Sequence, residues 1–512
     1  VMFEASFFDR HSLINYQLFR AMKTLQQTTM SINTLSRNTG LSYSQTYTAF
    51  QTVLAQLNQI LPDKKIDESN FAAVLPDVSI DRYRFSLLKN SLPFEFFDGV
   101  FKNPHSDFHA FKQHHQTSIS TLRRRISPFR DYLADNGVTL NSTTWAIEGD
   151  ELHIRLAMFT FFTLAYRGAG WPFSSAEERE AKALLKVINQ TKQAFLVSPI
   201  QPMSKEALLI LAIQMLRINC GHALLPNRRM QLLFDGETEL PDLIFTPDYF
   251  PNLSASELKA EKQYYYFSRM YFMTVTRQPH QIDYQIMTHF QSKDNLVNRF
   301  VRHLVTSLNN QLKETKSQLI AENQVMIANL YRLSFTEYVL NGHFSQRLDF
   351  ASTLHDEART SQLTAKIRDC LKRIPKMAPE SIYADFTSQF INGLYILVND
   401  NYPELNRDMQ MVVNVLIEHD SFVKRDLLNF LNDLGFIRVV PPTEAINPDL
   451  IITTLTKPKR VIPCMGHPFD PTVPLITWSK EPSDQDYFHL FQRLKRLQRE
   501  QRTAADTNQT RQ

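Results

Sequence analysis

Cysteine is scarce in this chain. Three cysteines occur among 512 residues, and they are Cys220, Cys370 and Cys464. They are widely separated and form no Cys-x-x-Cys pair, which argues against a disulfide framework and a structural zinc site. We therefore expect a protein of the reducing cytoplasm that carries no metal or other cofactor.

Motifs of common enzyme classes are also missing. The sequence has no glycine-rich phosphate loop, no His-Glu-x-x-His metal helix and no Gly-x-Ser-x-Gly nucleophile elbow. His105 and His109 are four residues apart and could face a metal from one helix, but no acidic or cysteine partner follows at a suitable spacing. We predict that the protein is not an enzyme.

Long hydrophobic runs and glycine are limited as well. No segment approaches the roughly 18 consecutive apolar residues of a membrane span, and the start, with Glu4, Asp9 and Arg10, has no signal-peptide pattern. We expect a soluble protein without a membrane partner. Because only 12 of its residues are glycine, the chain is predicted to be mainly helical. Because its net charge is only +4, any basic surface must be local.

The most informative basic segment is Gln116–Ile126, where a small-polar helix start is followed at once by three arginines. A DNA recognition helix begins in this way, because its hydroxyl groups cap the helix and reach phosphates, while its arginines neutralise phosphates or read guanine. An arginine triplet is also typical of a solvated helix face. The candidate DNA-binding residues here are Ser118, Ser120, Thr121, Arg123, Arg124 and Arg125.

The surroundings of this segment favour the DNA-binding interpretation. Phe108 and Phe111 predict a short preceding helix, and the apolar stripe of the arginine-rich helix continues to Leu133. Two short strands are then predicted, bounded by turns at Asn136-Gly137 and at residues 148–150. Helix, turn, recognition helix and hairpin predict a winged helix.

A second helix-turn-helix is predicted nearer the N-terminus. Leu35 lies on the apolar face of its first helix, Gly40 supplies the turn, Leu41 anchors the corner and Ser42 caps the second helix. The second helix has no Arg or Lys, so a role in positioning or dimer contact stays open beside DNA binding. Its candidate residues are Ser42, Ser44, Gln45, Tyr47 and Thr48.

The rest of the chain predicts two helical bundles and a small α/β domain. Apolar residues recur at helical spacing in Ala176–Gln190, Met203–Asn219, Asn295–Lys313, Glu322–Leu340 and Ser381–Val398. After Pro403, short apolar runs alternate with helices, which indicates a parallel sheet. The last helix is predicted at Asp486–Arg499. The predicted parts are 1–62, 63–150, 151–280, 281–402, 403–500 and a disordered tail at 501–512.

This order of parts resembles the Mga/AtxA-type regulators of Gram-positive bacteria. The segments that carry the resemblance begin at Asn90 (Asn-Ser-Leu-Pro-Phe-Glu-Phe-Phe-Asp), at Ser118, at Ile147 (Ile-Glu-Gly-Asp-Glu-Leu-His-Ile-Arg) and at Tyr166 (Tyr-Arg-Gly-Ala-Gly-Trp-Pro-Phe). The resemblance implies an N-terminal DNA-binding half, two phosphotransferase-system regulation domains (PRDs) at 151–280 and 281–402, and an enzyme IIB-like domain at 403–500.

The resemblance also implies regulation by histidine phosphorylation through phosphotransferase-system phosphocarrier proteins, and a homodimer formed through the C-terminal domain. His222 is the candidate phosphoacceptor of the first PRD, although a structural histidine is an open alternative. In the second PRD, Ser334 stands where relatives tend to carry the histidine, and His343 is the substitute. The loop at 418–420 lacks the cysteine of an active enzyme IIB, and Cys464 lies after a later strand, so a dimerisation or sensing role is expected.

These observations predict a dimeric, DNA-binding transcription regulator, of the activator, global or virulence type, that acts on double-stranded promoter DNA. A PRD-containing RNA-binding antiterminator is one alternative, but such proteins begin with a small β-rich domain. A phosphotransferase-system interaction protein without DNA binding is another. The absence of Arg and Lys from the second helix of the N-terminal helix-turn-helix favours this second alternative.

Overall fold

The computed structural model describes residues 3–25, 30–103, 111, 113–141, 143–191, 205–233, 241–271, 273, 278–312, 319–344, 361–385, 388–402, 405, 410–417, 422–441, 444, 446–454, 473–479 and 481–509. The chain divides into two compact units. Unit 1 comprises Val1–Asn309, Gln318–Asp356 and Cys370–Leu394, and unit 2 comprises Asn310–Ser317, Glu357–Asp369 and Tyr395–Gln512.

In its described residues the protein is mainly helical with a small parallel sheet, as the sequence predicted. The first helices are α1 Arg10–Thr24, α2 Ile32–Thr39, α3 Tyr43–Ile60, α4 Phe71–Val74, α5 Ile80–Lys89, α6 Leu92–Lys102, α7 Ile119–Asp135 and α8 Glu151–Ala165. The later helices are α9 Ser175–Gln190, α10 Lys205–Asn219, α11 Ala255–Met270, α12 Gln281–Gln291, α13 Leu296–Leu312, α14 Gln324–Leu340, α15 Gln362–Lys372, α16 Ser388–Asn401, α17 Phe422–Asn432 and α18 Asp484–Gln509. The strands are β1 Val138–Leu140, β2 Ile147–Gly149, β3 Met411–Leu416, β4 Ile437–Val439, β5 Leu450–Thr453 and β6 Leu475–Thr477.

An aromatic core holds helix α7 in place. Phe129 of α7 packs against Phe97 of α6, with ring centroids 4.9 Å apart, and against Phe161 of α8 at 5.6 Å. Phe7, which follows a short 310 helix at Phe3–Ser6, lies 5.0 Å from Phe129. Aromatic rings bury large apolar areas and prefer such tilted or edge-on contacts. Helix α7 is therefore fixed to both α6 and α8 through its buried side.

A buried ion-pair network joins helices α8 and α11. The Arg155 guanidinium donates to both carboxylate oxygens of Glu261, at 2.6 and 2.8 Å, and neither side chain is exposed. Glu151 accepts from Arg155 and also from Arg217 of α10. Burial alone would lower the pKa of Arg155, but Glu261 raises it above its ordinary value. Removing one partner would leave a buried charge unpaired, so the network links α8, α10 and α11 through its charged side chains.

Helices α12 and α14 pack together in unit 1. Phe290 of α12 stacks on Tyr331 of α14, with ring centroids 5.0 Å apart. Arg332 of α14 forms a buried ion pair with Asp283 of α12 at 2.6 Å. Because α14 is buried along nearly its whole length, its apolar residues do not form a single stripe.

Unit 2 contains a four-stranded parallel sheet. The strand order is β4-β3-β5-β6, and the register pairs Val413 with both Val439 and Leu450. The central strands β3 and β5 are largely buried. Leu427 and Leu431 of α17 and Leu494 of α18 pack into the core of this sheet. Parallel strands that are covered on their faces by helices produce this buried, Val- and Ile-rich pattern.

Several helix boundaries differ from the sequence prediction. The segment predicted as one helix at Ser381–Val398 contains the end of a 310 helix at Pro379–Ala384 and the start of α16. Helix α18 runs to Gln509, whereas the sequence predicted an end at Arg499 and a disordered tail from residue 501. The added residues include two Gln and two Ala, which have high helix propensity, but also two Thr, an Asp and an Asn, which do not, so propensity does not account for the later helix end.

Candidate nucleic-acid interface

Helix α7 begins with a side-chain cap. Ser118 is its N-cap residue, and its Oγ accepts from the Thr121 backbone N–H at 3.1 Å. The Ser118 hydroxyl also lies 2.9 Å from the Ser120 hydroxyl and from Thr121 Oγ1. The cap satisfies one of the backbone donors that a helix start leaves open. The hydroxyl residues predicted for DNA contact therefore also organise the helix start.

The two sides of α7 differ sharply in exposure. Its inner side is fully buried and consists of Leu122, Ile126, Phe129 and Leu133. Its outer side, in the first two turns, is exposed and includes Ile119, Ser120, Arg123, Arg124 and Arg125. Spacing of the buried residues by three and four positions produces one apolar stripe. The structure thus places the polar residues of the predicted recognition helix together on its solvent side.

The three arginines have different neighbours. The Arg123 guanidinium lies 5.7 Å from the centre of the Trp145 ring, in cation–π geometry. A guanidinium nitrogen of Arg125 lies 3.7 Å from a carboxylate oxygen of Asp9. Arg124 is exposed and forms no ion pair with any residue that the structure describes. Arg124 is therefore the least constrained of the three cations.

Helix α7 continues through a proline that the sequence interpretation did not use. Pro128 has no N–H, so the carbonyl of Arg124 loses its regular helical donor. The Ser127 hydroxyl donates to that carbonyl instead, at 3.0 Å. Buried Phe129 and Leu133 hold the following turns against the core. The proline therefore does not end the helix.

The predicted wing is a small antiparallel hairpin. Strands β1 and β2 pair with Val138 opposite Gly149 and Leu140 opposite Ile147. Between them, Asn141 Oδ1 accepts from the Thr143 and Thr144 backbone N–H groups, which makes a tight turn. No Arg or Lys occurs in residues 138–150, so this hairpin adds no positive charge of its own.

Trp145 is a supporting residue that the sequence interpretation did not single out. It has a left-handed backbone, with φ of 63°, and is 7% exposed. Its ring contacts Phe96 of α6 edge-on, with centroids 5.7 Å apart, and the Arg123 guanidinium also lies over this ring. Trp145 thus links the hairpin to both α6 and the outer side of α7. A lone tryptophan between two turns was the available sequence signal.

The chain before α7 is anchored to α6. Phe111 contacts Phe96 at 5.7 Å and the His115 ring at 4.3 Å. His115 Nε2 lies 3.3 Å from a carboxylate oxygen of Glu95. Gln116 then adopts a left-handed backbone, with φ of 46°, immediately before the cap of α7. Phe108, the partner of Phe111 in the sequence prediction, lies outside the described residues.

Helices α2 and α3 form the first predicted helix-turn-helix. Gly40 ends α2 with φ of 71°, and Ser42 and Gln45 form a capping box at the start of α3. Leu35 is buried, whereas Leu41 is only half-buried, so Leu35 rather than Leu41 anchors this corner. The Ser36 hydroxyl donates to the Leu41 carbonyl at 2.6 Å and holds the turn.

The outer side of α3 is polar but uncharged. It exposes the predicted residues Ser42, Ser44, Gln45, Tyr47 and Thr48. The Tyr47 hydroxyl donates to the Glu68 carboxylate at 3.3 Å, and the Gln51 amide also donates to it. A carboxylate at this edge would repel phosphate. Glu68 lies in a loop 21 residues away from Tyr47 in sequence, and no local pattern predicted the contact.

His222 lies beside a cavity of about 780 Å³. The cavity is lined by strand β2, the start of α8 and the loop after α10. The His222 side chain is half-buried, and its carbonyl accepts from the Arg155 guanidinium at 3.0 Å. His222 is therefore held in place by the ion-pair network of α8 and α11 through its backbone.

The two candidates of the second predicted PRD occupy different environments. Ser334 is fully buried in α14, and its carbonyl accepts from the Tyr383 hydroxyl at 2.8 Å. His343 follows α14 and is half-buried, with its ring centre 4.9 Å from that of His153 in α8. The region around Ser334 is thus closed to a protein partner. His343 is the more accessible of the two.

Other residues considered in the sequence fall outside the described part of the chain: His105, His109, Glu418, His419, Asp420 and Cys464. Cys220 and Cys370 are free thiols, and burial raises the pKa of Cys370. Within the described ranges, no group of three His, Cys, Asp or Glu side chains is arranged to hold a metal ion. None of the helices described there is both long and apolar enough to cross a bilayer.

Helices α5, α6 and α7 are followed by the β1–β2 hairpin, in the order that the sequence predicted for a winged helix. Residues 76–162 match the Mga helix-turn-helix domain. The matched part contains α5, α6, α7, both strands of the hairpin and most of α8, and it excludes α1 to α3. The match supports the Mga-type regulator family and suggests a DNA-binding transcriptional regulator. No curated protein matches the chain.

Proposed function

We propose that this protein is a sequence-specific transcription regulator whose helix α7 enters the major groove of promoter DNA. The observation that carries the proposal is the exposed outer side of α7, where Ser120, Arg123 and Arg124 stand together on a helix anchored by buried residues. A rigid helix that presents hydroxyl groups and guanidinium groups suits contacts with phosphates and base edges. Its position within the matched domain supports the same conclusion.

In this proposal, Trp145 fixes the direction of Arg123. A guanidinium held over an aromatic ring loses less conformational freedom when it contacts a phosphate or a guanine. Helix α3 makes secondary contacts with Ser42, Ser44, Gln45, Tyr47 and Thr48, which offer hydrogen bonds without charge attraction. Because Glu68 adjoins this side, α3 adds less affinity than α7 does.

We further infer that residues 151–402 regulate DNA binding as two PRDs, and that residues 403–500 act as an enzyme IIB-like dimerisation domain. The common core of α9 to α11, the packing of α12 against α14 and the parallel sheet of unit 2 support this assignment. His222 and His343 are the proposed phosphoacceptors. Incubation with a phosphorylated phosphocarrier protein should label the wild-type chain but not a His222→Ala/His343→Ala variant; equal labelling of both would exclude these two histidines.

DNA binding is tested by fluorescence anisotropy with a labelled duplex from the protein's own upstream region, across a salt series. Replacing Arg123, Arg124 and Arg125 by Ala should weaken binding and reduce the slope of log affinity against log salt by about 2 to 3 units, because each phosphate contact contributes about 0.9. A control variant replaces Arg179, Lys182 and Lys186 of α9 by Ala, which removes the same charge from another exposed helix.

The control variant should bind DNA nearly as the wild type does. Equal losses in both variants would mean that net charge, not helix α7, governs binding. Absence of binding by the wild type would contradict the proposal and favour a phosphotransferase-system interaction protein, which the uncharged side of α3 also supports. Residues 3–103 contain no strand in the described part, so the N-terminal half offers no support for a β-rich RNA-binding antiterminator.

A further inference from the structure

The segment that follows α14 packs against the end of the recognition helix. This segment, Asn341–Phe344, is called the α14 corner here. Asn136, the C-cap residue of α7, accepts the backbone N–H of Phe344 on its Oδ1 at 2.7 Å and donates from its Nδ2 to the Tyr132 carbonyl at 2.9 Å. Asn136 is 5% exposed although it lies in a turn. One side chain therefore joins the last turn of α7 to a residue 208 positions later in the chain.

Phe344 fills the space between three helices. It is 1% exposed, and its ring lies 6.2 Å from Tyr132 of α7 and 6.1 Å from His153 of α8. Its carbonyl accepts from the Tyr271 hydroxyl, at the end of α11, at 2.9 Å. Phe344 thus binds α7, α8 and α11 with its ring and with both of its backbone polar groups.

The corner also contacts the base of the wing. Gly137, directly before β1, has φ of 75°, and a Cβ atom there would lie 3.3 Å from His153 Nδ1 and 3.7 Å from the His343 ring. Only glycine fits this close approach without displacement. His153 in turn hydrogen-bonds the Leu340 carbonyl at the end of α14. The wing, α8 and the end of α14 meet at these two histidines.

The backbone of the corner is strained. Asn341, Gly342 and Phe344 have φ angles of 52°, 86° and 49°, all in the left-handed region. For phenylalanine this conformation is unfavourable, and it persists only where surrounding contacts hold it. Arg229 supplies part of that support by donating to Asn341 Oδ1 and to the Tyr338 carbonyl, each at 2.9 Å. The corner therefore has one well-determined position, which is set by α14 on one side and by α7 on the other.

We propose that the α14 corner positions the recognition helix and the wing, and that conformational changes of α14 reach α7 and β1 through it. Phe344 and Asn136 are positioning residues that do not contact the proposed DNA site. A shift of α14 withdraws Phe344 from Tyr132 and lets the last turn of α7 move, so the rigid helix changes its tilt and the exposed arginines at its other end change position. The consequence for affinity rests on the proposed DNA-binding function, whereas the consequence for local stability does not.

The test compares hydrogen exchange of residues 132–138 in full-length variants. Phe344→Ala removes the ring contacts, and Phe245→Ala removes a ring of similar burial from the core of α9 to α11. Exchange at 132–138 should be at least tenfold faster in Phe344→Ala than in Phe245→Ala. Similar exchange in both variants would overturn the proposal.

A milder pair keeps the test decisive if Phe344→Ala does not fold. Tyr271→Phe removes the hydroxyl that holds the Phe344 carbonyl, and Tyr266→Phe removes a hydroxyl that donates to the Pro241 carbonyl at 3.1 Å. Tyr271→Phe should accelerate exchange at 132–138 several-fold more than Tyr266→Phe, and equal rates would contradict the coupling.

DNA anisotropy on the same variants separates the two proposals. If the wild type binds DNA, and if Phe344→Ala weakens this binding several-fold more than Phe245→Ala does, both proposals are supported. If the wild type does not bind DNA, the proposed function fails, while the exchange rates still decide whether the corner positions α7. If DNA binding is intact in Phe344→Ala despite faster exchange, the corner stabilises α7 without setting DNA affinity, which overturns the positioning role.

Discussion

At the scale of single residues, Arg124 and Arg125 differ in their surroundings although they are adjacent in one helix. Arg125 forms an ion pair with Asp9, whereas Arg124 is exposed and has no ion-pair partner among the described residues. We expect Arg124→Ala to weaken specific DNA binding by about 1–3 kcal/mol if it reads a base. Arg125→Ala should cost less, because its ion pair with Asp9 competes with DNA. Anisotropy titrations measure both, and a larger loss for Arg125→Ala would contradict this ranking.

His153 predicts a pH dependence of the stability of unit 1. Burial lowers its pKa below the ordinary value of 6.5, and His343 lowers it further, while Asp150 and the Leu340 carbonyl oppose the shift. The folded protein thus favours the neutral imidazole. The contribution of neutral His153 to the free energy of unfolding is complete above about pH 6.5. It is lost as the pH falls below that value, because the unfolded chain then binds more protons than the folded protein does.

The measurement is the urea midpoint of unfolding at pH 7.5 and pH 5.5. His153→Gln keeps an N–H donor for the Leu340 carbonyl but cannot be charged, so its midpoint should fall less between the two pH values than that of the wild type. His11→Gln, at an exposed position in α1, is the control and should follow the wild type. An unchanged pH dependence in His153→Gln would exclude this histidine as the cause.

At the scale of elements, the turn between α2 and α3 depends on backbone conformation alone. A Cβ atom at Gly40 would meet nothing within 4 Å, but the residue has φ of 71°. Gly40→Ala should therefore destabilise the helix pair by about 1–2 kcal/mol, the cost of a left-handed L-residue. Hydrogen exchange in α2 and α3 reports this cost.

Gly99 provides the matched comparison. It lies inside α6 with ordinary helical φ, and a Cβ atom there also meets nothing within 4 Å. Gly99→Ala should stabilise α6 by about 0.5–1 kcal/mol, since alanine loses less conformational entropy on folding. If both substitutions destabilise their helices equally, local strain at Gly40 is not the reason for its effect.

At the scale of the whole molecule, dimerisation is expected through the C-terminal domain. Helix α18 exposes Phe488 at 57% and Phe491 at 37%, three residues apart on one side. Phe488→Ser/Phe491→Ser should weaken dimerisation at least tenfold, and it should also lower the affinity for a duplex with two half-sites. Sedimentation velocity across a concentration series measures the first effect.

The control for this variant removes two exposed tyrosines of unit 1. Tyr249 and Tyr284 are 45% and 47% exposed, so Tyr249→Ser/Tyr284→Ser changes a similar apolar area elsewhere. The control should dimerise as the wild type does. A monomeric wild type would contradict the proposed dimer, and equal losses in both variants would argue against the C-terminal domain as the interface.

The sequence alone determined the local features of this protein. These features are the serine caps, the left-handed glycine at position 40 and the apolar stripe from Leu122 to Leu133. Each depends on residues a few positions apart, so each can be recognised in the sequence. The mainly helical fold, the parallel sheet and the helix-turn-helix domain could therefore be predicted. The roles of Ser118, Arg124 and their neighbours in DNA binding remain predictions from the same patterns.

Only the tertiary structure decided which distant residues support these elements. Arg123 rests on Trp145, Tyr47 contacts Glu68, and Asn136 binds Phe344 across 208 positions. Such contacts follow from the packing of segments that are distant in sequence, and no local pattern encodes them. The sequence prediction also ended the last helix at Arg499, whereas α18 runs to Gln509, because a polar composition does not by itself end a helix. The conformation of a cap, a turn or a helix depends on neighbouring residues, whereas contacts between distant residues depend on how the whole chain folds.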